Sequence, residues 1–188
     1  MRIIAGVWKG RRLETPKWEG VRPTSDKLRE TMFNILAPRI VGARVIDGFA
    51  GTGAVGLEAL SRQAAHVVFV ERDRRAVALI GRNAAACGAD GRYTIEHGDA
   101  RAVLRRMHDA AFDLILLDPP YDYPDVHDVL DAAAARLAAG GLIMLERATR
   151  REPEVPASLE RVRDVASGDS TLTFLAARAG DGRATESS

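Results

Sequence analysis

From residue 43 the chain settles into one rhythm that few folds can satisfy. RVIDGF, HVVFVE, YTIEH, FDLILLD and GLIMLE are short apolar runs rich in Val, Ile, Leu and Phe, which is strand length and strand composition. Between them lie Ala- and Arg-rich segments long enough for helices, around residues 54–62, 73–87, 100–107 and 124–138. Strands alternating with helices require crossover units, and hence a mainly parallel sheet covered on both faces. Further on, LERVRDVA and STLTFLAAR are separated by Ser167, Gly168 and Asp169, a hairpin signal that adds an antiparallel pair at one edge.

The segments flanking this body read differently. RIIAGVWKGRRLETP alternates loosely, with glycines at 6 and 10, and predicts a short twisted hairpin, so residues 1–22 are expected to form a basic arm ahead of a domain over 23–178. After Pro23, TSDKLRETMFNIL starts with capping-type residues and carries Leu28, Met32, Ile35 and Leu36 at helical spacing, which predicts a helix packing one face on the body. Residues 179–188, AGDGRATESS, read as a disordered tail.

Charge is distributed unevenly. Residues 1–44 hold ten Lys or Arg against four acids, in a chain whose overall net charge is only +1. A basic arm before a mildly acidic body points to a nucleic-acid contact surface, with a merely solvated basic face as the plain alternative. At 188 residues, 46% hydrophobic and 28% charged, the composition is globular. No apolar run is long enough to cross a bilayer. MRIIAGVWKGRR lacks a signal-peptide core, and the single Cys87 has no internal disulfide partner, so the cytoplasm is the expected address and a buried thiol the expected role. His66, His97, His108 and His127 show no metal-ligand spacing, and no metal site is expected. Trp8 and Trp18 could stack bases, with packing of the hairpin as their expected role.

VIDGFAGTGAVGLEALSR joins the first strand to a helix through Gly51, Gly53 and Gly56, and Glu71 ends the next strand about 20 residues later. Glycines there let backbone approach a ligand at a helix N-terminus, and the acid is placed to bind ribose hydroxyls. The pattern serves dinucleotides and S-adenosylmethionine alike. Asp47 stands before the glycines, where a carboxylate can meet an ammonium group that NAD does not have. Asp99, in HGDA after the third strand, is placed to accept from an adenine amino group. The competing assignments are structural: Asp47 capping the turn, Asp99 capping the helix after it.

The fourth run ends in Asp118, Pro119, Pro120 and Tyr121, at the sheet rim where open parallel sheets bind ligands. Proline supplies no N–H and fixes φ, and an ionised aspartate only accepts. Such a loop offers stiff acceptors, with its carbonyls expected to face the ligand, and it suits a planar exocyclic amine, with Tyr121 stacked on the ring bearing it. The amine's lone pair is delocalised and attacks poorly, so acceptors that hold its hydrogens and aim it at an activated methyl supply what the reaction lacks. With an unperturbed pKa of about 3.9 Asp118 is a weak base, which favours acceptor and orienter as its role.

These segments together resemble a known family, the bacterial 16S ribosomal RNA guanine-N2 methyltransferases. RIIAGVWKGRRL resembles its opening, RPTSDKLRETMFNIL its signature helix, FAGTGAVGLEALSR its cofactor loop, FVERD its ribose acid and LLDPPY its catalytic loop. DPPY alone is shared with adenine-N6 methyltransferases; its combination with RPTSDKLRETMFNIL is more specific. The resemblance implies an α/β class I S-adenosylmethionine-dependent methyltransferase with a Rossmann-like, seven-stranded, mostly parallel sheet and an antiparallel C-terminal edge. Its substrate would be 16S rRNA in the small subunit or an assembly intermediate, and nothing demands a dimer. Carried over by position, Asp47, Phe49, Ala50, Gly51, Gly53, Glu71, Asp99 and Ala100 would hold the cofactor. Asp118, Pro119, Pro120 and Tyr121 would face the base, and Arg2, Lys9, Arg11, Arg12 and Arg22 the RNA. Gly48 replaces an expected larger apolar residue and Gln63 an expected glycine, which would loosen local packing, while Arg22 and Thr24 have no assigned contact. The rival within the same chemistry is an adenine-N6 or cytosine-N4 methyltransferase on DNA or other RNA; outside it, a small NAD-dependent oxidoreductase or a dinucleotide-binding regulatory module.

Overall fold

A computed structural model describes residues 1–16, 18 and 26–178. Arg22, Thr24 and the expected tail at 179–188 lie outside the described residues. The chain order is α1 (Asp26–Ile40), β1 (Arg44–Gly48), α2 (Ala54–Ser61), β2 (His66–Glu71), α3 (Arg74–Cys87), β3 (Tyr93–His97), α4 (Ala100–Arg106), β4 (Phe112–Leu117), α5 (Val126–Arg136), β5 (Leu137–Ala148), β6 (Leu159–Ser167) and β7 (Ser170–Ala177).

The seven strands form one sheet in the order β3-β2-β1-β4-β5-β7-β6. Pairing is parallel from β3 through β5, and antiparallel where β7 joins β5 and β6 joins β7. The chain leaves β1 toward β2 and β3, then returns to place β4 on the other side of β1. That reversal opens a crevice beyond the carboxyl ends of β1 and β4.

Strand side chains alternate between faces with period two, and the apolar runs divide accordingly. Val45, Leu114, Leu116, Met144 and Phe174 pack with α1, α2 and α3. Ile46, Ile115, Leu117, Ile143 and Leu175 pack with α4 and α5. Runs apolar at every position are therefore strands buried on both sides. Cys87 lies in the first of these cores. No described helix is long and apolar enough to cross a membrane.

The arm is a short hairpin: Arg2 bridges Arg12 antiparallel, Ile3 N donates to the Arg11 carbonyl (2.9 Å), Gly10 N to the Ile3 carbonyl (2.9 Å) and Leu13 N to the Met1 carbonyl (3.1 Å), while the loop between the paired segments turns to α2 for its partners. Glu58, fully buried, accepts from Ile4 N (2.7 Å) and Ala5 N (2.9 Å) and from Arg62 Nε (2.8 Å). Ser61 Oγ accepts from Trp8 N and donates to the Ala5 carbonyl, while the Ser61 carbonyl accepts from Val7 N. Ile3 and Leu13 are buried in the α1–α3 core. Side chains of α2 thus satisfy the backbone donors of Ile4, Ala5 and Trp8, in the loop between the paired segments.

Two departures from the family pattern resolve locally. A Cβ at Gly48 would come within 2.7 Å of Leu117 Cδ2, so Leu117 already fills that space. Gln63 adopts φ 74°, the left-handed region that favours glycine. Replacing exposed Gln63 by glycine should raise stability by about 0.5–1 kcal/mol, the strain relieved exceeding the entropy glycine adds to the unfolded chain. The check is a denaturant midpoint that rises at unchanged slope.

Candidate active site

A cavity of about 630 Å³ opens beyond the carboxyl ends of the central strands, lined by residues that follow β1, β2, β3 and β4 and by the β6–β7 turn. Asp47, Phe49, Ala50, Gly51, Glu71, Asp99, Ala100 and the whole Asp118–Tyr121 corner line it. The glycine turn and the Asp-Pro-Pro-Tyr corner are direct neighbours. Gly48 pairs with Leu117, and Asp118 N donates to the Gly48 carbonyl at 3.4 Å.

Gly53 is absent from the lining. It caps α2 at φ 76°, and a Cβ there would crowd Ile80 and Phe69. A Cβ at Gly56 would stand 2.3 Å from the Phe69 ring. These two glycines therefore let α2 press onto the sheet, and Gly51, at φ 54°, is the one that meets the cavity. Phe49 is held at φ 67° with its ring edge-on to Tyr123, centroids 5.0 Å apart. A bulky residue in that conformation is strained, and such strain collects at ligand sites.

Each candidate acid is also tied to the backbone. Asp47 Oδ2 accepts from Gly56 N at 2.8 Å. Glu71 receives Gly51 N and Asp73 N, both at 2.8 Å, one on each oxygen. Asp99 caps α4 through Ala102 N at 3.2 Å and accepts from Tyr123 Oη at 2.9 Å. The capping assignments thus hold for Asp47 and Asp99 while both carboxyls still line the cavity. Asp47 is only 4% exposed; burial, then the charges of Asp118 and Glu71, push its carboxyl well above the usual carboxylate range against the pull of the Gly56 N–H. A buried acid in that state gains from a cation.

At the rim, the Pro120 carbonyl accepts from Tyr123 N at 2.9 Å, closing a turn. That corrects the expectation that both proline carbonyls face a ligand: the Pro119 carbonyl takes no hydrogen bond among the described residues, whereas Pro120 is spent on the turn. Tyr121 Oη pairs with Ser170 Oγ at 2.8 Å, and the Tyr121 carbonyl accepts from Arg151 at 2.5 Å. The tyrosine ring is fixed by the edge hairpin.

Four lining or supporting residues escaped the sequence reading. Arg29 is 1% exposed and borders the cavity from α1. Its Nη2 donates to the Arg2 carbonyl (2.7 Å) and to Asp26 Oδ1 (2.9 Å), while Nε and Nη1 have no partner among the described residues. The signal was present: Arg29 falls on the apolar stripe Met32, Phe33, Leu36 and Ile40 at i+3, i+4, i+7 and i+11. Glu146, 7% exposed, ends the apolar run of β5 as Glu71 ends that of β2. Tyr123 holds Asp99, and its phenol is pushed up to about 12 by burial and by that hydrogen bond. Trp18 lines the cavity beneath the Arg75 guanidinium, 5.0 Å away. Trp8 does pack in the arm, with Arg92 over its ring at 4.9 Å.

A family model described as conserved hypothetical protein 95 matches residues 1–176. The chain belongs to this family. Its relatives include ribosomal RNA small subunit methyltransferase D of Escherichia coli K12, 37% identical over 171 residues, 89% of this chain and 85% of that one. The Haemophilus influenzae protein of the same name is 39% identical over 125 residues, a match that spans 65% of each chain. Among solved structures, the putative methyltransferase yhhF of Escherichia coli aligns with a TM-score of 0.84 at 32% identity, covering 95% of this chain and 98% of that chain. The fold is that of the class I methyltransferases, as the resemblance implied. Family and fold together make the chain a methyltransferase, and its relatives imply a methyl donor of the S-adenosylmethionine type.

Proposed function

We propose that this methyltransferase uses S-adenosylmethionine to methylate the exocyclic N2 of a guanine in small-subunit ribosomal RNA. The observation that carries the reading is adjacency: the buried Asp47 behind the glycine turn and the acceptor-rich Asp118 corner sit on neighbouring strands and share one cavity. Its residues fit a cationic donor. Asp47 is held in a state that a positive charge relieves, Glu71 stands at the end of β2 for ribose hydroxyls, and Asp99 stands at the start of α4 for an adenine amine.

When bound, the donor supplies a methyl group already activated by its sulfonium. Asp118 and the Pro119 carbonyl accept from the target amine, which turns its lone pair toward that methyl and stabilises positive charge growing on nitrogen. The donor would give up its methyl with the C–S bonding pair staying on sulfur, and Asp118 or water would take the proton that N2 loses as the N–C bond forms. Tyr121, fixed through Ser170, is placed to stack on the extruded base. The relatives named as ribosomal RNA small subunit methyltransferases support the substrate class. Incubation of small subunits, naked 16S rRNA and duplex DNA with labelled donor, followed by nucleoside analysis, tests the reading. N2-methylguanosine from the ribosomal RNA is expected; N6-methyladenine or N4-methylcytosine in its place overturns it.

Arg2, Lys9, Arg11 and Arg12 are exposed on the arm, and we assign them to RNA phosphates; Arg22 lies outside the described residues. Arg11 also donates to the Ala86 carbonyl at the end of α3, so Arg12 reports the phosphate contact more cleanly. Neutralising Arg11 and Arg12 should weaken RNA binding and lower the slope of log affinity against log salt by about 0.7–0.9 for each phosphate no longer neutralised, with donor affinity unchanged. A filter-binding salt series measures it.

A further inference from the structure

We infer that Glu146 is the residue that selects guanine, by accepting the ring N1–H beside the amine that Asp118 holds. The inference rests on the guanine-N2 reading above and extends it to specificity. Leu117 of β4 pairs with Leu145 of β5, so Asp118 and Glu146 follow at the same level on adjacent strands. Leu116 and Met144, one residue before that pair, both turn into the α1 face of the core. Alternation sends Asp118 and Glu146 toward that same face. Asp47 shares the face too, standing two residues after Val45. All three acids line the cavity.

Strand order then fixes the order of contacts. From β1 through β4 to β5 the acids are Asp47, Asp118 and Glu146. With the donor's cation at Asp47 and the target amine at Asp118, what lies beyond the amine is the edge of the base. Glu146 is 7% exposed there, its backbone paired to Leu172 of β7, and it lines the cavity together with Tyr121 and Ser170, which bond to each other.

The three candidate bases differ at that position. In adenine and cytosine the amine is flanked by a ring nitrogen that accepts; in guanine it is flanked on one side by N1–H, which donates. A carboxylate accepts only. Out of water it repels the first two bases and holds the third by a charge-assisted hydrogen bond. The corner residues Asp118 to Tyr121 serve any amine, and a second acid next to them makes the site a reader of guanine.

The test compares small subunits reconstituted with guanine or 2-aminopurine at the mapped target position. 2-Aminopurine keeps the N2 amine but presents an acceptor nitrogen where guanine has N1–H. The wild-type enzyme should prefer guanine in kcat/KM. Glu146→Gln, equal in size and able to turn an amide N–H toward that nitrogen, should narrow the preference about 10- to 100-fold, with affinity for S-adenosylmethionine and the melting temperature kept. An unchanged ratio, or equal losses on both substrates, overturns the inference. Equal turnover of the two bases by the wild-type enzyme overturns it too, whatever the variant does. Absence of N2-methylguanosine from the wild-type product is a separate outcome and strikes the parent reading instead.

Discussion

Asp118→Ala lowers the single-turnover rate of methyl transfer by about a hundred- to a thousandfold, while affinity for S-adenosylmethionine changes little. That magnitude is what removal of one preorganised partner of a developing charge costs. Asp118→Asn keeps one acceptor oxygen but no charge, and its rate should fall between the two. Quench-flow with labelled donor reads the rate, and calorimetric titration reads the affinity. Turnover equal to the parent in the alanine variant would strip the corner of any chemical role. Because the Asp118 charge helps to raise the Asp47 carboxyl, both variants should also move the ionisation of Asp47 to lower pH.

Asp47→Asn produces the second large effect, and it has opposite signs with and without ligand. Burial holds the native carboxyl protonated at pH values where the unfolded chain, near the ordinary 3.8, has lost the proton. Native protein therefore binds more protons than unfolded protein across that window, and the stability of the free enzyme falls as pH rises through it. A cationic donor favours the ionised form, so donor affinity rises over the same window and binding releases a proton. The asparagine variant should lose both pH slopes, melt higher than the parent at neutral pH without ligand, and bind the donor about 10- to 100-fold more weakly. Thermal melts across pH, and titrations in buffers of different ionisation heat, separate the two. A donor affinity untouched by Asp47→Asn would remove the acid from the site.

The layered sheet was readable because its signals are local. Five Val-, Ile- and Leu-rich runs with Ala-rich segments between them leave one architecture, and the hairpin around Gly168 closes the edge. The glycine turn and the Asp118 corner were readable because their residues are contiguous. What the sequence hid depends on register. That Glu146 stands level with Asp118 follows from the pairing of Leu117 with Leu145, two residues 28 positions apart, and no window along the chain contains both. Tyr123 reaches Asp99 only because a turn at Pro120 swings it back. The docking of the arm was hidden for a related reason: its alternation and glycines announce the pairing of residues 1–3 with 10–13, but Glu58 and Ser61, more than fifty residues away, supply the acceptors for the loop between them.

That last arrangement ties the arm to the helix that follows the glycine turn. The helix that begins at the glycine turn ends at Ser61, and its buried Glu58 is kept company by two peptide N–H groups of the arm. One eight-residue helix is thus the common bracket for the cavity on one side and the basic arm on the other. Cutting the arm away would leave an anion stranded inside the protein with fewer donors to quiet it. Trimming the enzyme to its sheet should therefore cost it the methyl donor as well as the RNA.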